Sequence, residues 1–247
     1  MRADQLLVDR GLAASRSQAQ RLIAAGVRWF DGARWIAVAK NGDEIPPQAQ
    51  IELLDTAEAR YVSRGGLKLE GALRASGLDV AGWTCLDVGQ STGGFTDCLL
   101  QHGAAAVTGV DVGHGQLHPK LRQDPRVVAI EKLNARDLRD EQIGGHYDLV
   151  TGDLSFISLT LVLPALAPLA KPGGHLLMLA KPQFELQPQQ IGKGGLVRDA
   201  SLYGEVEQRL RAACADLGLA VLGWYDSPIA GGDGNREFFL HAQTRST

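Results

Sequence analysis

Four charged residues, from four distant parts of the chain, have the chemistry needed to move a proton and to stabilise negative charge. Asp153 and Lys181 each stand just beyond a predicted strand. Lys68 lies in a predicted helix, and Glu237 opens the last predicted strand. An uncharged lysine can act as a general base, and active sites of open α/β sheets collect at the carboxyl ends of the strands. Taken singly, however, each of the four is more often a surface charge.

A glycine-rich segment, residues 87–95, follows the first strand of the predicted sheet and opens a helix. Its glycines have the spacing G-x-x-x-G-G, so Ser91 stands where the dinucleotide fingerprint G-x-G-x-x-G has its second glycine. Free N–H groups at a helix N-terminus suit a smaller cofactor that carries a carboxylate, such as S-adenosylmethionine. A structural turn is the alternative, since glycine is common after strands. The predicted cofactor-binding residues here are Asp87, Gly89, Ser91, Thr92, Gly93, Gly94 and Phe95.

Two polar residues after the next strands complete the predicted cofactor site. Asp111 ends the second strand, where a carboxylate can accept hydrogen bonds from both ribose hydroxyls of an adenosyl group. Asn134 follows the third strand and could hydrogen-bond to adenine. Each also has a plain structural interpretation: Asp111 could cap the end of its strand, and Asn134 could cap the next segment.

Alternating strands and helices must position these residues. The predicted strands are Thr84–Val88, Ala106–Asp111, Val127–Glu131, Asp148–Gly152, His175–Ala180, Ala220–Tyr225 and Glu237–Ala242. The predicted helices between them are Gly94–His102, Gln116–Arg122, Ser158–Leu166 and Ser201–Leu217. Apolar strands that alternate with helices predict a parallel sheet covered on both faces, and the short link before the final strand predicts that this strand is antiparallel. The fold class is α/β with a Rossmann-like sheet.

The first sixty or so residues differ from the rest, because two short helices and a hairpin precede the alternating pattern. They predict a small α+β domain over residues 1–58, with the α/β domain over 59–247. The first forty residues hold seven basic side chains and three acidic ones. This local excess indicates a positively charged surface that could face phosphate groups. Solvated surface arginines are the equally weighted alternative.

Composition narrows the function classes. The chain has 247 residues with a net charge of −3, so any nucleic-acid site must be local. Its three cysteines are widely spaced and predict neither a disulfide framework nor a metal site. No long apolar run predicts a signal peptide or a membrane span, and we expect a cytoplasmic protein.

Four motifs in order resemble the TlyA family of rRNA 2'-O-methyltransferases, often labelled haemolysin A and related to FtsJ-type enzymes. The motifs are residues 61–69 (YVSRGGLKL), 85–97 (CLDVGQSTGGFTD), 153–158 (DLSFIS) and 181–185 (KPQFE). The resemblance covers nearly the whole chain. It implies an S-adenosylmethionine cofactor, a ribosomal RNA or ribosomal-subunit substrate, and an N-terminal RNA-binding domain of the alpha-L type shared with a small-subunit ribosomal protein. The RNA-binding candidates are Arg2, Arg10, Arg16, Arg21 and Arg64.

The resemblance also implies a catalytic tetrad of Lys68, Asp153, Lys181 and Glu237. A ribose 2'-hydroxyl is a poor nucleophile and must lose its proton as it attacks the methyl group on sulfur. We expect Lys181 to be the base and Lys68 to steady the 2'-oxygen as charge develops. Phe156 and Phe184 flank the site and could stack on bases, although either could equally be a core aromatic.

Three other functions stay open. A nicotinamide-dependent dehydrogenase is disfavoured by the glycine spacing. A catalytically silent RNA- or ribosome-binding protein would keep the fold without the chemistry. A membrane-lysing protein, suggested by the haemolysin label, lacks a long apolar or strongly amphipathic segment to support it.

Overall fold

The chain forms two compact units in a computed structural model that describes residues 1–13, 15–54 and 60–246. The first unit is Met1–Arg64 and the second is Gly65–Thr247. The boundary predicted from the sequence, between residues 58 and 59, lies outside the described residues.

The first unit contains two helices and a three-stranded antiparallel sheet. Its elements are α1 (Ala3–Asp9), α2 (Arg16–Gly26), β1 (Val27–Phe30), β2 (Trp35–Ala37) and β3 (Gln50–Leu53), with β1 central in the sheet. The predicted hairpin is therefore confirmed. Helix α2 begins at Arg16, because the Ser15 side chain accepts a hydrogen bond from the backbone N–H of Gln18. Leu7, Leu22 and Val27 pack in a separate small core.

The second unit is built on a seven-stranded sheet. Its strands are β4 (Thr84–Val88), β5 (Ala106–Asp111), β6 (Val127–Glu131), β7 (Tyr147–Gly152), β8 (Ala170–Ala180), β9 (Ala220–Asp226) and β10 (Phe238–Gln243). Its helices are α3 (Gly65–Ser76), α4 (Gly94–Gln101), α5 (Pro119–Arg122), α6 (Asp140–Ile143), α7 (Leu159–Leu166), α8 (Pro182–Glu185) and α9 (Leu202–Asp216). The strand order is β6-β5-β4-β7-β8-β10-β9.

Strand directions agree with the prediction from the sequence. Strands β4 to β8 are parallel, and β10 lies between β8 and β9, antiparallel to both. The inner strands are apolar on both faces, as a sheet covered by helices requires: Leu86 and Val150 on one face, and Cys85 and Leu149 on the other, are all completely buried. The parallel order brings the carboxyl ends of β4, β7 and β8 next to one another, which is where the candidate site lies.

Two element boundaries differ from the prediction by more than one residue. Helix α5 begins at Pro119, three residues later than expected, because the residue before a proline is disfavoured in a helix and Pro119 suits its first turn. Strand β8 begins at Ala170, five residues earlier than expected, because its pairing with β7 resumes across an irregularity between Tyr147 and Leu149. That irregularity accommodates the Pro-Gly-Gly segment of residues 172–174, which breaks the sequence pattern of a strand.

Candidate active site

The glycine-rich segment forms a tight turn from β4 into α4. Gly89 and Gly93 have φ values of +83° and +94°, in the left-handed region that favours glycine. A side chain at Gly89 would place its Cβ 2.8 Å from the carbonyl oxygen of Asp153. The turn therefore passes close to the chain that follows β7, and only glycine fits at this point.

Asp111 fastens this turn to the end of β5. Its Oδ2 accepts a hydrogen bond of 2.7 Å from the backbone N–H of Ser91, and its Oδ1 accepts one of 2.7 Å from the backbone N–H of Gly113. Asp111 thus orders two loops as well as facing the adjacent cavity. The sequence predicted that Asp111 faces the cofactor, but it did not predict the contact of Asp111 with Ser91.

A first cavity of about 560 Å³ opens between these loops. It is lined by Val88, Gly89, Ser91, Val110, Asp111, Val112, Gln116, Leu133, Asn134, Ala135, Asp153, Leu154, Ser155, Phe156 and Ile157. Four predicted cofactor residues are among them, namely Gly89, Ser91, Asp111 and Asn134. The side-chain oxygen of Asn134 also accepts a hydrogen bond from the backbone N–H of Arg136, so the capping role foreseen as an alternative is present too. The other five predicted residues do not line this cavity.

Asp87 lies at the base of the same turn and is almost fully buried. Its Oδ2 accepts hydrogen bonds from the backbone N–H and the hydroxyl of Thr96, at 3.0 and 2.7 Å, whereas no described residue hydrogen-bonds to Oδ1. Burial outweighs the two Thr96 bonds and raises the pKa of Asp87 to about 7. A carboxyl group held in this way connects strand β4 to the first turn of α4.

A second cavity of about 490 Å³ adjoins the first and shares Ser155 and Phe156 with it. It is lined by Lys68, Ser155, Phe156, Lys181, Gln183, Phe184, Ile191, Gly194, Gly195, Gly232, Asp233 and Glu237. Three of the four tetrad residues therefore line one cavity, and the fourth, Asp153, lines its neighbour. Four segments far apart in sequence converge here.

The tetrad forms two ion pairs of one lysine and one carboxylate each. Lys181 Nζ lies 2.6 Å from Asp153 Oδ1 and donates a 2.9 Å hydrogen bond to Ser155 Oγ. Lys68 Nζ lies 2.5 Å from Glu237 Oε2, and both side chains are more than nine-tenths buried. Buried ion pairs stabilise a fold poorly, because desolvation offsets their attraction. One buried pair and one partly buried pair beside two adjoining cavities therefore indicate a functional site.

Phe156 and Phe184 stand at this site as expected, and their ring centroids are 5.1 Å apart. Phe156 is not a core aromatic, because 89% of it is exposed. Its φ of +63° is unusual for a residue with a bulky side chain. The strained backbone and the exposed ring occur at the junction of the two cavities.

Sequence reasoning missed three polar residues of the second cavity: Ser155, Gln183 and Asp233. Ser155 and Gln183 each stand two positions after a tetrad member, at the same carboxyl ends of strands. That spacing was the available signal for both. Asp233 lies in the glycine-rich link between β9 and β10, where the sequence pattern indicates only a turn.

Each arginine proposed to bind RNA in the first helices also has a partner within its own unit. Arg2 and Arg16 pair with the buried Asp4 at 3.0 and 2.9 Å, and their hydrogen bonds hold the pKa of Asp4 well below its usual range. Arg10 donates to the carbonyl oxygens of Pro47 and Ala49. Arg21 donates to the carbonyl oxygen of Ser17, and Arg64 is the last, half-buried residue of the unit. About half of the side chains of Arg2 and Arg16 stays exposed.

The doubly wound sheet, the glycine turn and the two adjoining cavities define a cofactor-dependent transferase of the methyltransferase type. The family model described as FtsJ-like methyltransferase matches residues 61–244. The chain belongs to this family, which confirms the resemblance noted in the sequence. Membership of a methyltransferase family implies the use of S-adenosylmethionine.

Relatives agree over nearly the full length. The chain is 46% identical over 245 residues to the 16S/23S rRNA (cytidine-2'-O)-methyltransferase TlyA of Mycobacterium tuberculosis, covering 99% of this chain and 90% of that one. A solved structure of a candidate hemolysin from Streptococcus thermophilus is 42% identical, with a TM-score of 0.78, and the match covers 100% of this chain and 89% of that one. An S-adenosylmethionine-dependent methyltransferase from Mesorhizobium loti, at 15% identity, shares the fold alone, with a TM-score of 0.50 over 70% of this chain and 96% of that one.

Two further observations concern the open alternatives. Within the part of the chain that the structure describes, no helix is long and apolar enough to cross a membrane. Over the same residues, no group of three or more His, Cys, Asp or Glu side chains is placed to hold a metal ion.

Proposed function

We propose that this chain transfers a methyl group from S-adenosylmethionine to the ribose 2'-hydroxyl of a cytidine in ribosomal RNA. The main observation in support of this proposal is the pair of adjoining cavities. The first is lined by the glycine turn and Asp111, and the second is lined by Lys68, Lys181 and Glu237. The activity named for the Mycobacterium tuberculosis relative supports it.

The first cavity fits the cofactor. The turn at Gly89 has no room for a side chain and leads into the N-terminus of helix α4, where a carboxylate is favoured. Asp111 and Asn134 line the same space and carry the acceptors and donors that an adenosyl group needs. S-adenosylmethionine, when bound, supplies a methyl group activated by a positively charged sulfur. In this proposal Gly89, Ser91, Asp111 and Asn134 contact the cofactor, and Asp87, Thr92, Gly93, Gly94 and Phe95 support the turn.

Lys181 is the proposed general base. In its uncharged form it would take the proton of the 2'-hydroxyl as the oxygen attacks the methyl group. Asp153 and Ser155 both contact its Nζ, which restricts where that atom can lie. Because Ser155 lines both cavities, these contacts hold the base at the junction where transfer must occur.

Lys68 is proposed to stabilise the negative charge that develops on the 2'-oxygen. A preorganised cation in a site shielded from water stabilises such charge strongly. Glu237 holds Lys68 in place, and the burial of both side chains keeps the pair rigid. Phe156, exposed at the junction, is proposed to stack on a base of the RNA.

The first unit is proposed to supply RNA affinity rather than chemistry. Its candidates are Arg2, Arg10, Arg16 and Arg21, in a small domain over residues 1–58, together with Arg64, the last residue of the unit. The half-exposed guanidinium groups of Arg2 and Arg16 can contact phosphate while they pair with Asp4.

A fragment that begins near residue 58 should keep cofactor binding and lose most of its RNA affinity. The affinity of the full chain should fall as salt rises. Equal affinity of fragment and full chain would refute this role.

Transfer of tritium from labelled S-adenosylmethionine to ribosomal subunits tests the enzymatic proposal. Subunits from a strain that lacks this protein are the substrate, and the product is digested to nucleosides. We expect the label in 2'-O-methylcytidine. Label on a base, or no transfer to either subunit or to free rRNA, would refute the proposal. Label on a base would indicate a nucleic-acid methyltransferase of another specificity.

A further inference from the structure

Gln183 lines the second cavity, two residues after Lys181, and has no role in the mechanism above. It is 8% exposed. Its Nε2 donates a 3.0 Å hydrogen bond to Asp233 Oδ2, from the link between β9 and β10. A glutamine at this position is therefore held by a partner 50 residues away in the sequence.

Asp233 is itself held in place by Asn235. Its Oδ1 accepts a hydrogen bond of 3.1 Å from the backbone N–H of Asn235, and its Oδ2 accepts one of 2.9 Å from Asn235 Nδ2. Asn235 is almost fully buried and is anchored by the carbonyl oxygen of Gly195 and the backbone N–H of Val197. Partial desolvation opposes the ionisation of Asp233, but the bonds from Asn235 and Gln183 outweigh it and lower its pKa. Asp233 is therefore a carboxylate at neutral pH.

An ionised carboxylate only accepts hydrogen bonds, so it determines which way the Gln183 amide points. The NH₂ group must face Asp233, because a flipped amide would place two acceptors against each other. The Oε1 atom is consequently fixed on the other side. It is buried, and no described residue hydrogen-bonds to it. A buried acceptor without a donor costs stability, and the residue that carries it lines the cavity beside the proposed base.

We propose that Gln183 Oε1 accepts a hydrogen bond from the exocyclic amino group of the target cytosine and so selects cytidine over uridine. This inference rests on the proposed function, because it concerns the nucleotide that enters the same cavity. Cytosine has an amino group at position 4 of its ring, where uracil has a carbonyl oxygen. An acceptor fixed opposite that position attracts the first base and repels the second. The hydrogen-bonded chain Gln183–Asp233–Asn235 would thus recognise the base while Lys181 acts on the ribose.

The test compares two substrates that differ at one base. Ribosomal subunits carry either the mapped target cytidine or a uridine at the same rRNA position, and single-turnover methylation rates are measured on both. The wild-type chain should methylate the cytidine substrate faster by roughly tenfold or more. Gln183→Ala should lose most of this preference and keep its affinity for S-adenosylhomocysteine, measured by calorimetry. Gln189→Ala, an exposed glutamine of the same segment, should keep the wild-type ratio.

Asp233→Asn provides a second test without removing Gln183. An asparagine there can donate to Gln183 Oε1, which lets the amide turn and present its NH₂ group to the cavity. We expect the cytidine preference to fall and the relative rate on uridine to rise. If Gln183→Ala slows both substrates by the same factor, or if the wild-type chain shows no preference, the inference is overturned while the proposed function stands. If the wild-type chain methylates no ribose, both are overturned.

Discussion

The two cavities of the second unit share an edge but are built by different means. The first is shaped mainly by turns that directly follow β4, β5, β6 and β7, and its key contact joins a carboxylate to a backbone N–H group. The second depends on side chains from α3, from the segment after β8 and from the link before β10, and its key contacts are buried ion pairs. A cofactor shared by many enzymes can be bound by a local turn. Activation of one hydroxyl needs charged groups brought together from distant segments.

The largest effect expected from this difference is on the rate of methyl transfer. Lys181→Ala removes the proposed base, and loss of a general base typically lowers a rate by about 10²–10⁴-fold. Lys181→Arg should be almost as damaging, because arginine keeps its proton. Affinity for S-adenosylhomocysteine should hardly change, since the lost interaction belongs to the second cavity. Single-turnover tritium transfer and calorimetry measure the two properties separately.

Lys171→Ala is the matched control for this prediction. Lys171 also forms an ion pair with an aspartate, Asp148, at 2.7 Å, but it lies at the opposite end of strand β8 from Lys181. Its loss should leave the rate within about twofold of wild type, as surface ion pairs contribute little. Wild-type rates for Lys181→Ala would eliminate Lys181 as the base and remove the chemical distinction between the cavities.

An intermediate effect is expected on cofactor affinity. Asp111→Ala removes both the proposed ribose contacts and the bond that fixes Ser91. A hydrogen bond to a charged group contributes about 1.5–3 kcal/mol, so the loss of even one ribose contact should lower the affinity for S-adenosylhomocysteine by roughly tenfold or more. Calorimetry should show this loss, whereas Asp124→Ala, an aspartate paired with Arg126 at the surface, should bind normally. Unchanged binding by Asp111→Ala, or a preference of the wild-type chain for NAD, would contradict the cofactor assignment.

A further effect is expected on the stability of the turn at Asp87. The pKa of Asp87 in the folded chain is about 7, above the value of about 3.9 for an unfolded aspartate. The folded state therefore binds more protons between these values, and the stabilisation present below about pH 4 is lost as the pH rises through about 7. The side chain of Asp87→Asn cannot titrate. The free energy of unfolding of this variant, relative to that of wild type, should therefore increase between these two pH values.

Chemical denaturation between about pH 4.5 and 8 checks the sign of this effect. The difference between variant and wild type should increase with pH by at most about 1.4 kcal/mol per unit and become constant above about pH 8. Asp216→Asn, an exposed aspartate at the end of α9, serves as the reference. Parallel curves for Asp87→Asn and wild type would mean that Asp87 is already ionised in the folded chain.

Much of the fold and of the first cavity follows from local patterns. Apolar runs and turn residues located the core strands of the sheet, and the short link before β10 determined its antiparallel direction. The errors occurred at Pro119 and at residues 170–174, where a proline or an irregular pairing changes a boundary without changing the fold. The glycine turn and Asp111 could be found because each directly follows a strand.

The amino-acid sequence by itself determined the order of elements, the cofactor turn and, through the resemblance, which four charged residues to examine. Only the tertiary structure decided how they pair: Lys181 with Asp153 and Lys68 with Glu237. It also brought Ser155 to Lys181 and Asp233 to Gln183. The physical reason is that hydrophobic periodicity and turn chemistry act over a few neighbouring residues. Contacts between side chains up to 169 positions apart, as for Lys68 and Glu237, depend on how the completed sheet packs.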